Sequence, residues 1–217
     1  MSEFNPEVID QPEARRAMRL ASCASVTVAL ILIVAKTSAW LTTGSVAVLS
    51  SLVDSLLDAI ASVVTLVAIQ HSLQPADHEH RFGHGKVEAL AAMAQSAFIL
   101  GSAVLLLFEA GARALDPRPI EKGEIGIYVM LFSIGLTISL VMFQRWAIAK
   151  SGSVAISADS LHYQGDLLLN TAVIAAILLV SELGWVMADP IFGAAIAFYI
   201  IWSAYRIVRN SLDMLMD

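Results

Sequence analysis

Cysteine and charged residues are scarce in this chain of 217 residues. The single cysteine, Cys23, excludes a disulfide framework within the chain and a CxxC metal site. Only 15% of the residues are charged, whereas 58% are hydrophobic and the mean hydropathy is +0.74. This composition is far from that of a soluble domain and indicates a polytopic helical membrane protein.

Six apolar segments follow one another along the chain, each long enough to cross a hydrocarbon core of about 30 Å. They cover residues 20–42, 46–70, 87–112, 125–148, 154–181 and 186–208. The sequence therefore predicts an all-α fold with six transmembrane helices in a transport domain at 20–210. A polar tail at 1–19 without a removable signal and a short segment at 211–217 flank that domain.

The basic residues near the ends of these segments predict the orientation of the chain. Those expected on the side of the two termini outnumber those on the other side. The first set is Arg15, Arg16, Arg19, Arg81, Lys86, Arg145, Lys150, Arg206 and Arg209, the second is Arg113, Arg118 and Lys122, and Lys36 lies within the first segment. Because basic residues concentrate in the cytoplasm, both termini are expected to be cytoplasmic.

Two apolar segments each contain polar residues four positions apart. These pairs are Asp54 with Asp58 and His162 with Asp166. On a helix, residues with this spacing project from one face, with Cβ atoms about 6 Å apart. Ionisable residues at membrane depth are costly unless they are paired, protonated or bound to something. If the two helices pack side by side, three carboxylates and one imidazole can surround a divalent metal ion.

A structural explanation of the same residues is that the two aspartates hydrogen-bond to serines such as Ser51 and Ser55, while His162 pairs with a neighbouring carboxylate. Three carboxylates with no basic residue among them would repel one another strongly at low dielectric, which favours a bound cation. Oxygen and nitrogen ligands without sulfur suit zinc and similar dications and argue against copper(I). Zinc is the leading candidate, with iron(II), cadmium and manganese left open.

These two pairs, together with the loop sequences SLQPAD at 72–77 and FGHGK at 82–86, resemble the cation diffusion facilitator family. The resemblance extends over all six segments and is strongest to the bacterial branch that exports zinc and ferrous iron. It implies two metal sites. The first is a tetrahedral transport site of Asp54, Asp58, His162 and Asp166, and the second is a site in the cytoplasmic loop formed by Asp77, His80 and His84.

The resemblance also implies a homodimer in the bacterial inner membrane, which works by alternating access and has no nucleic-acid partner. Small residues such as Gly193 and Ala197 would allow the sixth helices of two copies to approach. The resemblance implies that relatives usually continue into a cytoplasmic ferredoxin-like domain, and we do not expect residues 211–217 to form one. In relatives the lysine matching Lys86 contacts an acid after the sixth segment, and Asp213 and Asp217 are the candidates.

The charge of the transport site predicts how transport is driven. Without metal, the clustered acids should recruit protons, and since ligands must lose protons to hold a metal, the two compete. The chain is therefore expected to be a metal/proton antiporter and not an enzyme. The proton stoichiometry stays open.

Two other classes of protein are alternatives. An intramembrane metal hydrolase would need an open coordination position and usually an HExxH motif, but Phe82 stands where the second histidine after His78 and Glu79 would be. A metal receptor that does not transport, or a membrane module that binds a partner, is the third interpretation. Metal flux into sealed vesicles separates the transporter from both.

Overall fold

The computed structural model describes residues 11–44, 46–75, 78, 83–115, 124–185 and 187–216, and within them it contains six long α-helices and no strand. The helices are α1 (Pro12–Thr43), α2 (Val46–Ser72), α3 (Lys86–Leu115), α4 (Glu124–Ser151), α5 (Val154–Leu183) and α6 (Ala188–Met216). The predicted all-helical architecture with six long helices is confirmed. α1 begins at Pro12, so the helix already includes the arginines that the sequence placed in the polar tail.

Within the described part of the chain, five helices are long and apolar enough to cross a membrane over at least part of their length. The qualifying stretches are Pro12–Thr43, Val48–Ser72, Lys86–Leu115, Tyr128–Ser151 and Ala188–Met216. The shortest has 24 residues, which corresponds to about 36 Å of helix. α5 is 30 residues long, but its first half carries Asp159, His162 and Asp166, and its crossing of the membrane stays a prediction.

α5 lies at the centre of the bundle, in contact with each of the other five helices. α3 and α6 pack along each other most extensively, while α1 packs against α2 and α4. One hydrophobic cluster joins α3, α5 and α6 through residues such as Ile99, Leu161 and Ile200. A second cluster joins α1, α2, α4 and α5 through residues such as Met18 and Ile69. Both faces of α5 are therefore held by apolar packing.

Two glycines mark close approaches between helices. A Cβ atom on Gly165 of α5 would lie 3.0 Å from Cδ1 of Ile200 on α6, so any larger residue would have to displace that side chain. A Cβ atom on Gly193 of α6 would lie 3.4 Å from Cβ of Ala110 on α3, and Ala197 is completely buried. Gly193 and Ala197 thus pack within one chain, and a contact between the sixth helices of two copies at these residues stays a prediction.

Candidate metal site

The two predicted pairs of polar residues meet where α2 and α5 pack together. Oδ1 of Asp58 lies 2.6 Å from Nε2 of His162, and Oδ2 of Asp166 lies 3.8 Å from the same nitrogen. One potential ligand atom from each of these residues lies within 4.8 Å of the other two. The structure therefore brings together three of the four residues that the sequence singled out.

The fourth residue, Asp54, lines the same cavity but stands apart from this group of three. The cavity has a volume of about 230 Å³ and is bounded by α2, α3, α5 and α6. Its walls include Asp54, Asp58, Phe98, Ser102, Leu106, His162, Asp166 and Leu169. Asp54 precedes Asp58 by one helical turn, so it lies on the same face of α2 and can reach an ion within the cavity after a side-chain rotation.

The chemistry of the three grouped side chains fits a first-row dication. The side chains of His162 and Asp58 are 11% and 12% exposed, and that of Asp166 is 36% exposed. Ligands of a tetrahedral zinc ion with bonds of about 2.0 Å are separated by about 3.3 Å. The observed separations of up to 4.8 Å can close to that value by side-chain movement. The three side chains thus combine hard oxygen and borderline nitrogen ligand atoms, a set that suits first-row dications.

A fully buried carboxylate, that of Asp159, lies one turn before His162 and was missed by the sequence interpretation. It accepts hydrogen bonds from Nε2 of Gln144 at 2.8 Å, Nε2 of Gln95 at 3.1 Å and Oγ of Ser62 at 3.2 Å. The hydroxyls of Ser62 and Tyr163 are 2.9 Å apart, and Gln144 also donates to Oγ of Ser25 at 2.9 Å. We call this set the polar hub: Ser25, Ser62, Gln95, Gln144, Asp159 and Tyr163.

The polar hub connects α1, α2, α3, α4 and α5 beside the proposed ligands. Because buried polar groups are costly unless they are satisfied, such a network strongly favours one arrangement of the five helices. A signal for it was present in the sequence, since Asp159 is also an acid within an apolar segment and shares a helix face with His162 at a spacing of three. The search for polar residues four positions apart did not include Asp159, which lies three positions before His162.

A buried lysine is the second feature that the sequence interpretation missed. Lys36 of α1 is 9% exposed, and its Nζ donates to Oγ of Ser55 at 2.6 Å and to the carbonyl oxygen of Ser51 at 3.0 Å. It interacts electrostatically with Asp54, Asp58 and Asp166. The premise that no basic residue lies near the three carboxylates is therefore wrong, because a buried lysine of α1 is held on α2 at Ser55, between Asp54 and Asp58 in the chain.

The N-terminus of α5 is held by a buried side chain of α3. Glu88 is 1% exposed, and its Oε1 accepts hydrogen bonds from Oγ of Ser153 at 2.6 Å and from the backbone N–H of Ala155 at 3.3 Å. A carboxylate at this place satisfies an otherwise unpaired donor and complements the positive end of the helix. Glu88 thus fixes the start of the helix that carries His162 and Asp166.

The second predicted metal site lies mostly outside the described residues. Asp77 and His80 belong to the part of the loop that is not described, so their relation to His84 stays a prediction. His84 is 7% exposed, and its ring meets that of His71 edge to face at a centroid distance of 5.2 Å. Nearby, Nζ of Lys86 donates to the carbonyl oxygen of Leu215 at 3.0 Å.

A bundle of long apolar helices with a cluster of potential metal ligands between them is typical of a membrane protein that handles metal ions. Residues 22–216 match the model of the cation efflux transmembrane domain. The chain is 49% identical over 200 residues to the cation-efflux pump FieF of Shewanella oneidensis, covering 92% of this chain and 67% of that protein. It is 46% identical over 206 residues to FieF of Pectobacterium carotovorum, covering 95% of this chain and 68% of that protein.

The chain therefore belongs to the cation efflux, or cation diffusion facilitator, family, as its motifs predicted. It is a divalent-cation efflux transporter and not an enzyme, and it is a multi-pass protein of the bacterial inner membrane. A further relative, FieF of Citrobacter koseri, is 44% identical over 209 residues, covering 96% of this chain and 69% of that protein. The chain thus spans about two thirds of the length of these relatives.

Proposed function

We propose that this protein exports zinc from the cytoplasm in exchange for protons, using Asp54, Asp58, His162 and Asp166 as its transport site. The observation that carries this proposal is the contact of 2.6 Å between Asp58 on α2 and His162 on α5, with Asp166 beside them. Oxygen and nitrogen ligands favour zinc over copper(I), and they also accept iron(II), cadmium and manganese as alternative cargo.

Coupling to protons is supported by the competition for the ligand atoms themselves. A carboxylate or imidazole must lose its proton before it binds a metal ion, so metal binding releases protons and acid weakens it. When the ion leaves, the buried acids regain protons because neighbouring carboxylates cannot all remain charged at low dielectric. An inward proton gradient then favours the return of the protonated site to the cytoplasmic side, and this return drives export.

The arrangement of polar groups on either side of the site supports alternating access. We assign both termini to the cytoplasm and six crossings to the chain, with α5 as the fifth. In that orientation the polar hub closes the cytoplasmic side of the site. The cavity extends the other way, past Ser102 and Leu106 of α3 and Leu169 of α5. The described conformation is then open toward the outside, and loading from the cytoplasm requires the hub to separate.

We further propose a homodimer and a second metal site at Asp77, His80 and His84 near the cytoplasmic entrance. Both proposals rest on the family resemblance. The burial of His84 beside the first turn of α3 is compatible with a ligand held in place by the fold. Chemical cross-linking in membranes tests the dimer, and metal binding by His80→Ala and His84→Ala tests the loop site.

Zinc uptake into proteoliposomes under an imposed pH gradient tests the transport proposal. Asp58→Ala should abolish uptake, because it removes the residue that joins the two halves of the site. Glu182→Gln is the matched control, since this exposed acid lies at the end of α5, away from the site. Transport that is indifferent both to Asp58→Ala and to the pH gradient would contradict the proposal, and the same assay with iron(II), cadmium and manganese ranks the ions.

A further inference from the structure

Lys36 is a buried basic residue beside the proposed transport site that the mechanism above does not use. Its Nζ is anchored on the surface of α2 by Oγ of Ser55 and the carbonyl oxygen of Ser51. Ser55 follows Asp54 directly in the chain and precedes Asp58 by three positions. These two hydrogen bonds therefore hold the end of a flexible side chain at one place next to the acidic pair.

Neither anchoring group carries a charge, so the charge of Lys36 must be balanced by other residues. An ammonium group inside a membrane protein is costly unless a charge of opposite sign lies nearby. Among the described residues, the acids that interact with it electrostatically are Asp58, Asp166 and Asp54. All three line the proposed transport cavity. One lysine is thus held on the helix that carries two of the three carboxylates that would receive the metal ion.

This lysine changes the charge balance of the site. Counted over the four proposed ligands and Lys36, three ionised carboxylates, a neutral imidazole and one ammonium give a net charge of about −2. The carboxylate of Asp159 is left out of this count because three donors of the polar hub satisfy it. A single divalent cation brings that charge to zero, whereas a monovalent cation leaves it negative. Without the lysine, the site loaded with a divalent cation would remain negative and would hold the ion more tightly.

We infer that Lys36 is the resident counter-cation of the transport site, which matches the site's charge to a divalent ion and allows that ion to leave. The inference rests on the proposed function of Asp54, Asp58, His162 and Asp166. Lys36 acts here by electrostatic repulsion of the metal ion and not as a ligand, because an ammonium group has no lone pair to offer a metal.

Three variants test this role in proteoliposomes and by calorimetric titration of zinc. Lys36→Gln removes the charge but keeps an amide that can donate to the same two oxygens, and Lys36→Arg keeps the charge. Lys150→Gln is the matched control, because Lys150 is half exposed and its Nζ pairs, at 3.7 Å, with the carboxylate of the exposed Glu13. All measurements are made at one alkaline pH, where protons compete least with zinc.

We expect Lys36→Gln to lower the Kd for zinc on the order of tenfold, because a nearby positive charge no longer repels the ion. Its KM and maximal rate of transport should fall together, since tighter binding slows release. Lys36→Arg and Lys150→Gln should remain close to the unmodified protein. Lys36→Met, which removes the charge and keeps the apolar stem, provides the same test if the glutamine variant does not assemble.

Three results would overturn the inference. They are an unchanged Kd and rate in Lys36→Gln, weaker zinc binding in that variant, and equal effects of Lys36→Gln and Lys36→Arg. The last two would show that Lys36 supports the packing of α1 on α2. These outcomes are distinguishable from a failure of the proposed function, in which the unmodified chain itself neither binds nor transports zinc.

Discussion

Removing the carboxylate of Asp159 should destabilise the helix bundle more than any other single change in the polar hub. Asp159→Ala leaves three buried donors, from Gln144, Gln95 and Ser62, without their acceptor. An unsatisfied buried donor costs about 1 to 3 kcal/mol, and hydrogen bonds within membranes lie toward the lower end. We therefore expect a loss of about 3 to 4 kcal/mol in the free energy of unfolding.

The conservative variant Asp159→Asn should cost less because Gln144 can adapt to it. The asparagine oxygen still accepts from two donors, while its amide nitrogen faces the amide nitrogen of Gln144. Oε1 of Gln144 is buried and has no hydrogen-bond partner among the described residues. Rotating the Gln144 amide would present that oxygen to the new donor. The expected loss is about 1 to 2 kcal/mol.

Equilibrium unfolding in detergent micelles, followed by circular dichroism, measures these differences. The double variant Asp159→Ala with Gln144→Leu should recover part of the stability, because replacing both partners removes an unsatisfied donor along with its acceptor. Glu182→Ala serves as the control for removing an exposed acid. The reasoning fails if Asp159→Ala unfolds like the unmodified protein, or if the alanine and asparagine variants are equally destabilised.

Three further predictions concern the helix that carries the ligands. Glu88→Ala should lower the free energy of unfolding by about 1 to 2 kcal/mol through loss of the α5 cap, whereas Glu88→Gln should retain most of the stability. The same unfolding assay measures both variants, with Glu109→Ala at an exposed acid as the control. Gly165→Ala should weaken zinc binding, because its Cβ atom would press against Ile200 and displace α5, and adding Ile200→Val should restore the zinc affinity measured by titration. Gly101→Ala, whose Cβ atom would meet open space, should leave the zinc affinity unchanged. Zinc binding should release protons and weaken in acid. Calorimetry in buffers of different ionisation enthalpy should therefore show a heat of binding that depends on the buffer. Equal heats in all buffers would contradict ligand deprotonation.

The loop site and the intramembrane site differ in how well the sequence alone could predict them. His84 is described and buried, but Asp77 and His80 are not among the described residues, so their partnership rests on the family resemblance and on a spacing in a glycine-containing loop. The intramembrane pairs are better defined because a helix holds residues four apart on one face. That regularity is enough to group Asp54 with Asp58, and His162 with Asp166, from their positions in the chain.

Local rules of the chain therefore determined the helices and the two ligand pairs, since hydrophobic length and helical spacing depend only on neighbouring residues. The contact of Asp58 with His162, the separation of Asp54 from the group of three and the approach of Lys36 were decided by tertiary packing. They depend on the relative rotation and depth of α1, α2 and α5. Side chains contributed by different helices set those quantities, and no regularity along a single segment encodes them.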